Sequence, residues 1–335
     1  MVNTNLKYIG QPWRGRSLTF GPYAGALLVL LILPFIMPGY LQGIMTRILI
    51  MAVFAIGLDL IMGYVGLISL GHAAYFGVAA YTTGILATRY GIESFWVVLP
   101  AAIIFTAVAA MILGFLALRV SGVYFVLVTF ATSELLRSIA VKWYSLTKGD
   151  DGLPGIIRPS LGIPLSLVHS INYYYFVLII FVICFFLLYR IVNSPFGHAL
   201  QGIRDDERRM RALGYNTWIY KYIAFIISAV FVGVAGVLFT YFNGLVYPSM
   251  IGVLGTIEPL IMVMIGGAGT LFGPALGSAL VILVEYFASI YSPDRWPLIE
   301  GAIFILVIMF FREGIGVRLR NFWKRVRYRY AGSES

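Results

Sequence analysis

Charge is scarce in this sequence of 335 residues, with Asp, Glu, Lys and Arg together making up 11% of it, against about 25% in soluble domains. That shortage excludes an ordinary water-soluble globule and places the chain among membrane proteins. Cysteine occurs once, as Cys184 inside the apolar run 175–188. An internal disulfide is thereby excluded, no metal-ligand neighbour stands nearby, and a packing role is expected. The three histidines, His72, His169 and His198, fall in separate segments without metal-ligand spacing. No metal site is expected, and a membrane enzyme with convergent catalytic groups is disfavoured. Acidic residues are also few, 14 against 24 basic ones. A net charge of +10 raises the question of nucleic acid. The basic residues instead collect in three places: Lys7, Arg14 and Arg16; Arg190 to Lys221; and Arg312 to Arg329. Such clusters flanking apolar segments set membrane topology, because Lys and Arg in short loops resist translocation.

What is present is apolar length. Hydrophobic residues form 60% of the chain and aromatic ones 16%, the latter suited to membrane interfaces. A helix needs about 20 apolar residues to cross a hydrocarbon core. Length and periodicity predict an all-α, polytopic membrane helix bundle of about ten transmembrane helices, with broken or re-entrant segments. The candidate spans are 24–40, 43–63, 70–88, 96–117, 121–141, 172–190, 217–241, 252–270, 273–291 and 297–312. With the basic N-terminus inside, this count also returns the basic C-terminus and the loop 191–216 inside, and leaves 142–171 outside. The expected organisation is a cytoplasmic segment 1–20, retained rather than cleaved as a signal peptide, a transmembrane unit 21–312, and a basic cytoplasmic tail 313–335. Residues 252–291 leave little room for a polar turn, so two full spans and a re-entrant pair both stay open there.

Within this apolar chain, "GYVGLISLGHAAYFG" at 63–77 repeats glycine and carries Ser69 and His72. Gly63, Gly66, Gly71 and Gly77 permit close backbone approach or a broken helix. An unwound backbone in lipid is tolerated only where protein or a wet cavity covers it, so the stretch is expected to face inward. Gly266, Gly267, Gly269, Gly273 and Gly277 form a second cluster in the same style. Two such breaks in two halves of a chain point to an internal repeat around a central path.

Asp59 stands four residues before Gly63 and seven before Gly66, on a shared polar, small-residue face. A carboxylate inside a span is expensive and faces a partner or a cavity. Asp59 therefore either serves the route, lining it or fixing a neighbouring helix that does, or is a neutralised or paired structural group, with Arg47 too far along the same helix to be its direct partner. The path candidates are Asp59, Gly63, Gly66, Ser69, His72 and Glu258, with His72 also readable as a hydrogen-bonded packing residue and Glu285 deeper in the ninth span. Glu134 and Arg137 are spaced for a local ion pair near the outer end.

The longest inner connection is "SPFGHALQGIRDDERRMRALGYN" at 194–216. Asn193, Ser194 and Pro195 read as a helix start, and Gly214 with Asn216 as a stop. Leu200, Ile203, Met210 and Leu213 share a face that Asp206 and Glu207 interrupt, which predicts two short helices joined near Arg204 and Asp205. Such an element suits a groove on a cytosolic partner or the lipid headgroup layer.

The ordered series "GYVGLISLGHAAYFGVAAYTTG", "SGVYFVLVTFATSELLR", "LTKGDDGLPGI", the 194–216 loop and "MVMIGGAGTLFGPALGSAL" resembles that of the LivM-type permeases of bacterial branched-chain amino acid ABC importers. The resemblance implies a permease in the bacterial inner membrane that carries leucine, isoleucine or valine by ATP-driven alternating access. It implies a homologous second permease, two cytosolic ATPase subunits and a periplasmic substrate-binding protein as partners, with no nucleic acid. No G-x-x-x-x-G-K-[ST] motif occurs in the chain, so ATP and Mg are expected on the partner ATPases and no cofactor in this chain. The inner loop then becomes the ATPase coupling element, with Arg204, Asp205, Glu207, Arg208, Ala212, Leu213 and Gly214 as coupling candidates. Arg208 and Arg209 stand where the family commonly has small residues. Asp150 and Asp151, in an external loop that Gly149, Gly152 and Gly155 would shape, are candidates for contact with the binding protein. A related permease for urea or another small solute is the nearest alternative, and an ion-coupled carrier a more distant one.

Overall fold

Long apolar runs fold as helices because a segment in lipid must satisfy its own backbone N–H and C=O groups. The structure is a computed structural model and describes residues 21–162, 166–291, 301, 302 and 305. It begins with α1 (Gly21–Ile36) and α2 (Gly39–Asp59), the latter running on through a π-helical turn, Leu60–Val65. After an irregular link come α3 (His72–Tyr90), α4 (Phe95–Ala117) and α5 (Val123–Lys142). The following segment holds a one-turn α6 (Tyr144–Thr147), a 3₁₀ turn at Gly149–Asp151 and a two-residue strand, β1 (Leu153–Pro154). Next stand α7 (Ser170–Val192), the short α8 (Pro195–Asp205) and α9 (Glu207–Ala212), and α10 (Thr217–Asn243). β2 (Leu245–Val246), α11 (Leu254–Gly266) and α12 (Phe272–Tyr291) complete the order.

Nine of the ten expected spans coincide with these helices. The tenth, 297–312, and the segments 1–20 and 313–335 lie outside the described residues or almost wholly so. Seven helices among the described residues are long and apolar enough to cross a membrane: α2, α4, α5, α7, α10, α11 with the turn before it, and α12. The other two matched helices fall short, α1 in length at 16 residues and α3 in apolarity.

α2 and α10 form the centre. The apolar window of α2 is 94% buried and that of α10 is 72% buried, whereas that of α5 is 22% buried. α2 packs against α7, α10 and α12, and α10 packs against α3 and α4. The outward faces of α4 and α7 carry Ile104, Phe105, Ile112, Ile179, Ile183 and Phe186, a surface suited to hydrocarbon. Cys184 is buried within α7 and packs in the core.

The links sort to two ends of the bundle. At one end Ser121 shares a cleft with Asp206, Glu207, Arg208 and Arg211. At the other, β1 pairs antiparallel with β2, Leu153 opposite Val246, which ties the long 143–169 segment to the far end of α10. α11 and α12 touch backbone to backbone: a Cβ on Gly266 would fall on Gly273, and one on Gly277 on the carbonyl of Met262. α11 alone has 13 residues, about 20 Å of helix, and the loop that follows it, 267–271, rests against α2 through Asp59.

Candidate functional site

The helix of α2 ends at Gly66, whose φ of +82° is a left-handed conformation that glycine adopts without a Cβ penalty. Gly66 therefore terminates the helix; it does not share a helical face with Asp59 and Gly63, as their spacing alone had suggested. The link that follows is partly inward. Ser69 and Gly71 are buried, but Gly66 and Ile68 are exposed. The freed backbone donors find side-chain acceptors: the Leu70 N–H donates to Thr129 Oγ1 at 3.2 Å, the Gly71 N–H to Ser69 Oγ at 3.3 Å, and the Ala73 N–H to Thr256 Oγ1 at 3.0 Å. Hydroxyls from α5 and α11 thus satisfy the break, as burial demands.

The two glycine clusters meet. Asp59 is fully buried, and its carboxylate accepts from the N–H of Gly269 at 2.7 Å and of Leu271 at 3.2 Å. A Cβ on Gly63 would fall on the backbone nitrogen of Gly269. These two bonds fix the α11–α12 loop to α2. Arg47 does lie elsewhere, joining Glu285 of α12 at 2.9 Å and Glu258 of α11 at 3.5 Å. Glu258 thus belongs to a three-charge group that staples α2 to α11 and α12.

His72, the first residue of α3, is fully buried between Ser69 Oγ at 2.8 Å from Nδ1 and Ser228 Oγ at 3.0 Å from Nε2. Ser228 donates its single hydroxyl proton to the Gly57 carbonyl at 2.6 Å. Nε2 must therefore donate to Ser228, which leaves Nδ1 to accept from Ser69. The chain Ser69, His72, Ser228, Gly57 links the break to α10 and α2, and His72 is the hydrogen-bonded packing residue the sequence allowed.

The inner loop forms two helices, with the joint at Asp206, one residue beyond the expected point. Ser194 caps α8, accepting from the Gly197 N–H at 3.4 Å with Pro195 in the first turn. Asp206 caps α9, accepting from the Arg209 N–H at 3.1 Å. Asn216, expected as a stop, instead caps the start of α10, accepting from the Ile219 N–H at 3.3 Å. Leu200 and Ile203 are buried, but Leu213 is 67% exposed, so the proposed four-residue face divides: α8 is turned inward and α9 buries no residue.

The coupling candidates divide in the same way. Arg204 reaches back from α8, donating through Nη1 to the Gly63 carbonyl and lying against Gly66 and Gly269. It also holds Asp205 at 3.4 Å, whose own side chain is largely exposed. Glu207 accepts from Arg211 at 2.6 Å, Thr217 at 2.9 Å and Lys221 at 2.6 Å. Burial pushes its carboxyl up, but these three hydrogen bonds outweigh that and hold it at about 2. Glu207 thus clamps α9 to α10, with its side chain 29% exposed. Arg208, Ala212, Leu213 and Gly214 are exposed. At the opposite end Asp150 and Asp151 are exposed on their 3₁₀ turn, shaped by left-handed Gly149 and by Gly152. Thr129, Ser228 and Thr256 carried no sequence signal, because a hydroxyl in a span is tolerated wherever its own helix accepts it.

The sequence matches the family model described as "Branched-chain amino acid transport system / permease component" over residues 40–309. The chain is 28% identical to the high-affinity branched-chain amino acid transport system permease protein LivM of Salmonella typhimurium, over 87% of this chain and 73% of that protein. It is 29% identical to the LivM of Escherichia coli over the same shares. With the LivH permease of Salmonella typhimurium it shares 25% identity over 79% of this chain and 90% of that one. No solved structure matches. The matched region runs from α2 to beyond α12 and takes in both breaks and the inner loop, and this chain belongs to the branched-chain amino acid permease family.

Proposed function

We propose that this protein is the LivM-type permease subunit of an ATP-driven importer for leucine, isoleucine and valine in a bacterial inner membrane, with both termini cytoplasmic. Its partners are a homologous second permease, two cytosolic ATPase subunits that bind ATP and Mg, and a periplasmic binding protein. The chain performs no catalysis itself.

The observation that carries this reading is the insertion of Arg204 from the inner loop onto Gly63, Gly66 and Gly269. A motor that moves α8 and α9 moves this guanidinium. The guanidinium touches the end of the α2 break and, through Gly269 and Asp59, the α11–α12 loop. Both irregular segments then shift together, which is what two alternative packings of one bundle require. The exposed surface of Arg208, Ala212, Leu213 and Gly214 meets the ATPase, while Glu207 makes α9 move as one body with α10. Asp150 and Asp151, at the other end, meet the binding protein.

The test is uptake of labelled leucine into proteoliposomes holding the co-expressed complex and binding protein. Uptake that needs ATP inside and the binding protein outside is expected; equal uptake without nucleotide overturns the reading.

A further inference from the structure

One ion pair in the bundle stands partly open to the outside along a spanning helix. Glu134 and Arg137 sit on α5, joined at 2.8 Å with side chains 31% and 45% exposed. Glu134 is the twelfth residue of a 20-residue helix, which at 1.5 Å per residue puts it about 17 Å from the start, near the middle of the helix and not at its outer end as the sequence suggests. Charge open to the outside at that depth is costly against acyl chains and marks a wet route or a partner. The pair is also aimed. Glu134 Oε1 accepts from the Val253 N–H at 3.1 Å, and Ser133 donates to the Ile251 carbonyl at 2.6 Å. Arg137 lies over Gly252, where a Cβ would meet its Cδ. The link between β2 and α11 therefore fixes both charges on one edge of α5. One and two turns before Glu134, on the same face, stand Phe130 and Leu127, both exposed.

We propose that this edge of α5 lines the translocation path and that Glu134 and Arg137 form a transient site for the amino-acid zwitterion. The substrate's ammonium group pairs with Glu134, its carboxylate with Arg137, and its aliphatic side chain lies along Phe130 and Leu127. With no substrate present the two side chains neutralise each other, so the empty path carries no unpaired charge. This proposal rests on the transport reading above and adds where the solute is held.

The test uses the full complex in proteoliposomes. In a Cys184→Ala background, Ala131→Cys on this edge and Ile104→Cys on the outward face of α4 are treated with a charged, membrane-impermeant thiol reagent. Ala131→Cys is expected to react at least tenfold faster, and leucine with ATP and binding protein is expected to slow it. In parallel, Glu134→Gln and Arg137→Gln are expected to cut leucine uptake at least tenfold while ATPase activity stays within twofold. If either variant fails to assemble, the labelling ratio alone decides. Equal labelling at the two positions, or wild-type uptake by both variants, overturns this site while leaving the transport reading intact. A wild-type complex that moves no leucine overturns the transport reading instead.

Discussion

The carboxylate of Asp59 accepts a hydrogen bond of 2.7 Å from the backbone N–H of Gly269. The two residues lie 210 positions apart, one at the end of regular α2 and the other in the loop that turns α11 into α12. The bond brings the two irregular segments of the bundle into one assembly, and Arg204 closes that assembly from the side of the inner loop.

Removing the carboxylate leaves the N–H groups of Gly269 and Leu271 without an acceptor, at about 1–3 kcal/mol for each buried donor. Asp59→Ala is expected to lower the thermal midpoint of the detergent-purified protein by several degrees. Asp59→Asn keeps one acceptor oxygen and is expected to lie between the variant and the wild type. A midpoint for Asp59→Ala equal to wild type would remove Asp59 from its fixing role.

Adding one methyl group at Gly63 drives a Cβ into the Gly269 backbone, which has no flexible end to yield. Gly63→Ala is expected to lose most leucine uptake and to reduce the yield of folded protein. Gly43→Ala, where nothing lies within 4 Å of the added carbon, is expected to be neutral or to raise stability by up to about 1 kcal/mol. Comparable losses at both positions would show that the contact between the breaks is not the cause.

Arg204→Ala removes the contact between α8 and the Gly63 carbonyl without touching the exposed surface of α9. ATPase activity is expected to persist while uptake per ATP falls about tenfold. Simultaneous loss of ATPase binding, measured by co-purification, would place Arg204 in the docking surface instead.

Leu213→Asp tests that docking surface directly, since Leu213 is 67% exposed. Co-purification of the ATPase is expected to be lost and the thermal midpoint to stay unchanged. Retained ATPase with retained uptake would move docking away from the end of α9.

Glu207 gives the pH dependence a sign. Its carboxyl is held at about 2 in the folded protein, below the ~4.3 of an unperturbed glutamate. The unfolded chain therefore takes up the proton first, and the clamp's stabilisation is present above ~4.3 and lost as pH falls toward 2. Between pH 6 and pH 3 the wild-type thermal midpoint is expected to fall more steeply than that of Glu207→Gln. Parallel slopes would mean that Glu207 is not held by Lys221 and Arg211.

Sequence alone determined the class of fold and most of its helices, because hydrocarbon leaves a spanning segment no choice but to bond within itself, and about 20 apolar residues in a row announce it. It also placed the start of α8, since Ser194 and Pro195 act on neighbours within one turn. Tertiary structure decided what the polar groups inside the bundle do. Asp59 holds a loop only because Gly269 approaches it from the far half of the chain, which its local sequence does not announce. Glu207 becomes a clamp only because Lys221 arrives from α10, and Arg204, 40% exposed, meets the Gly63 carbonyl only because α8 is laid against the end of α2. The physical reason is range: backbone bonding and capping act along the chain, whereas a buried charge is defined by whichever distant group takes the place of water around it.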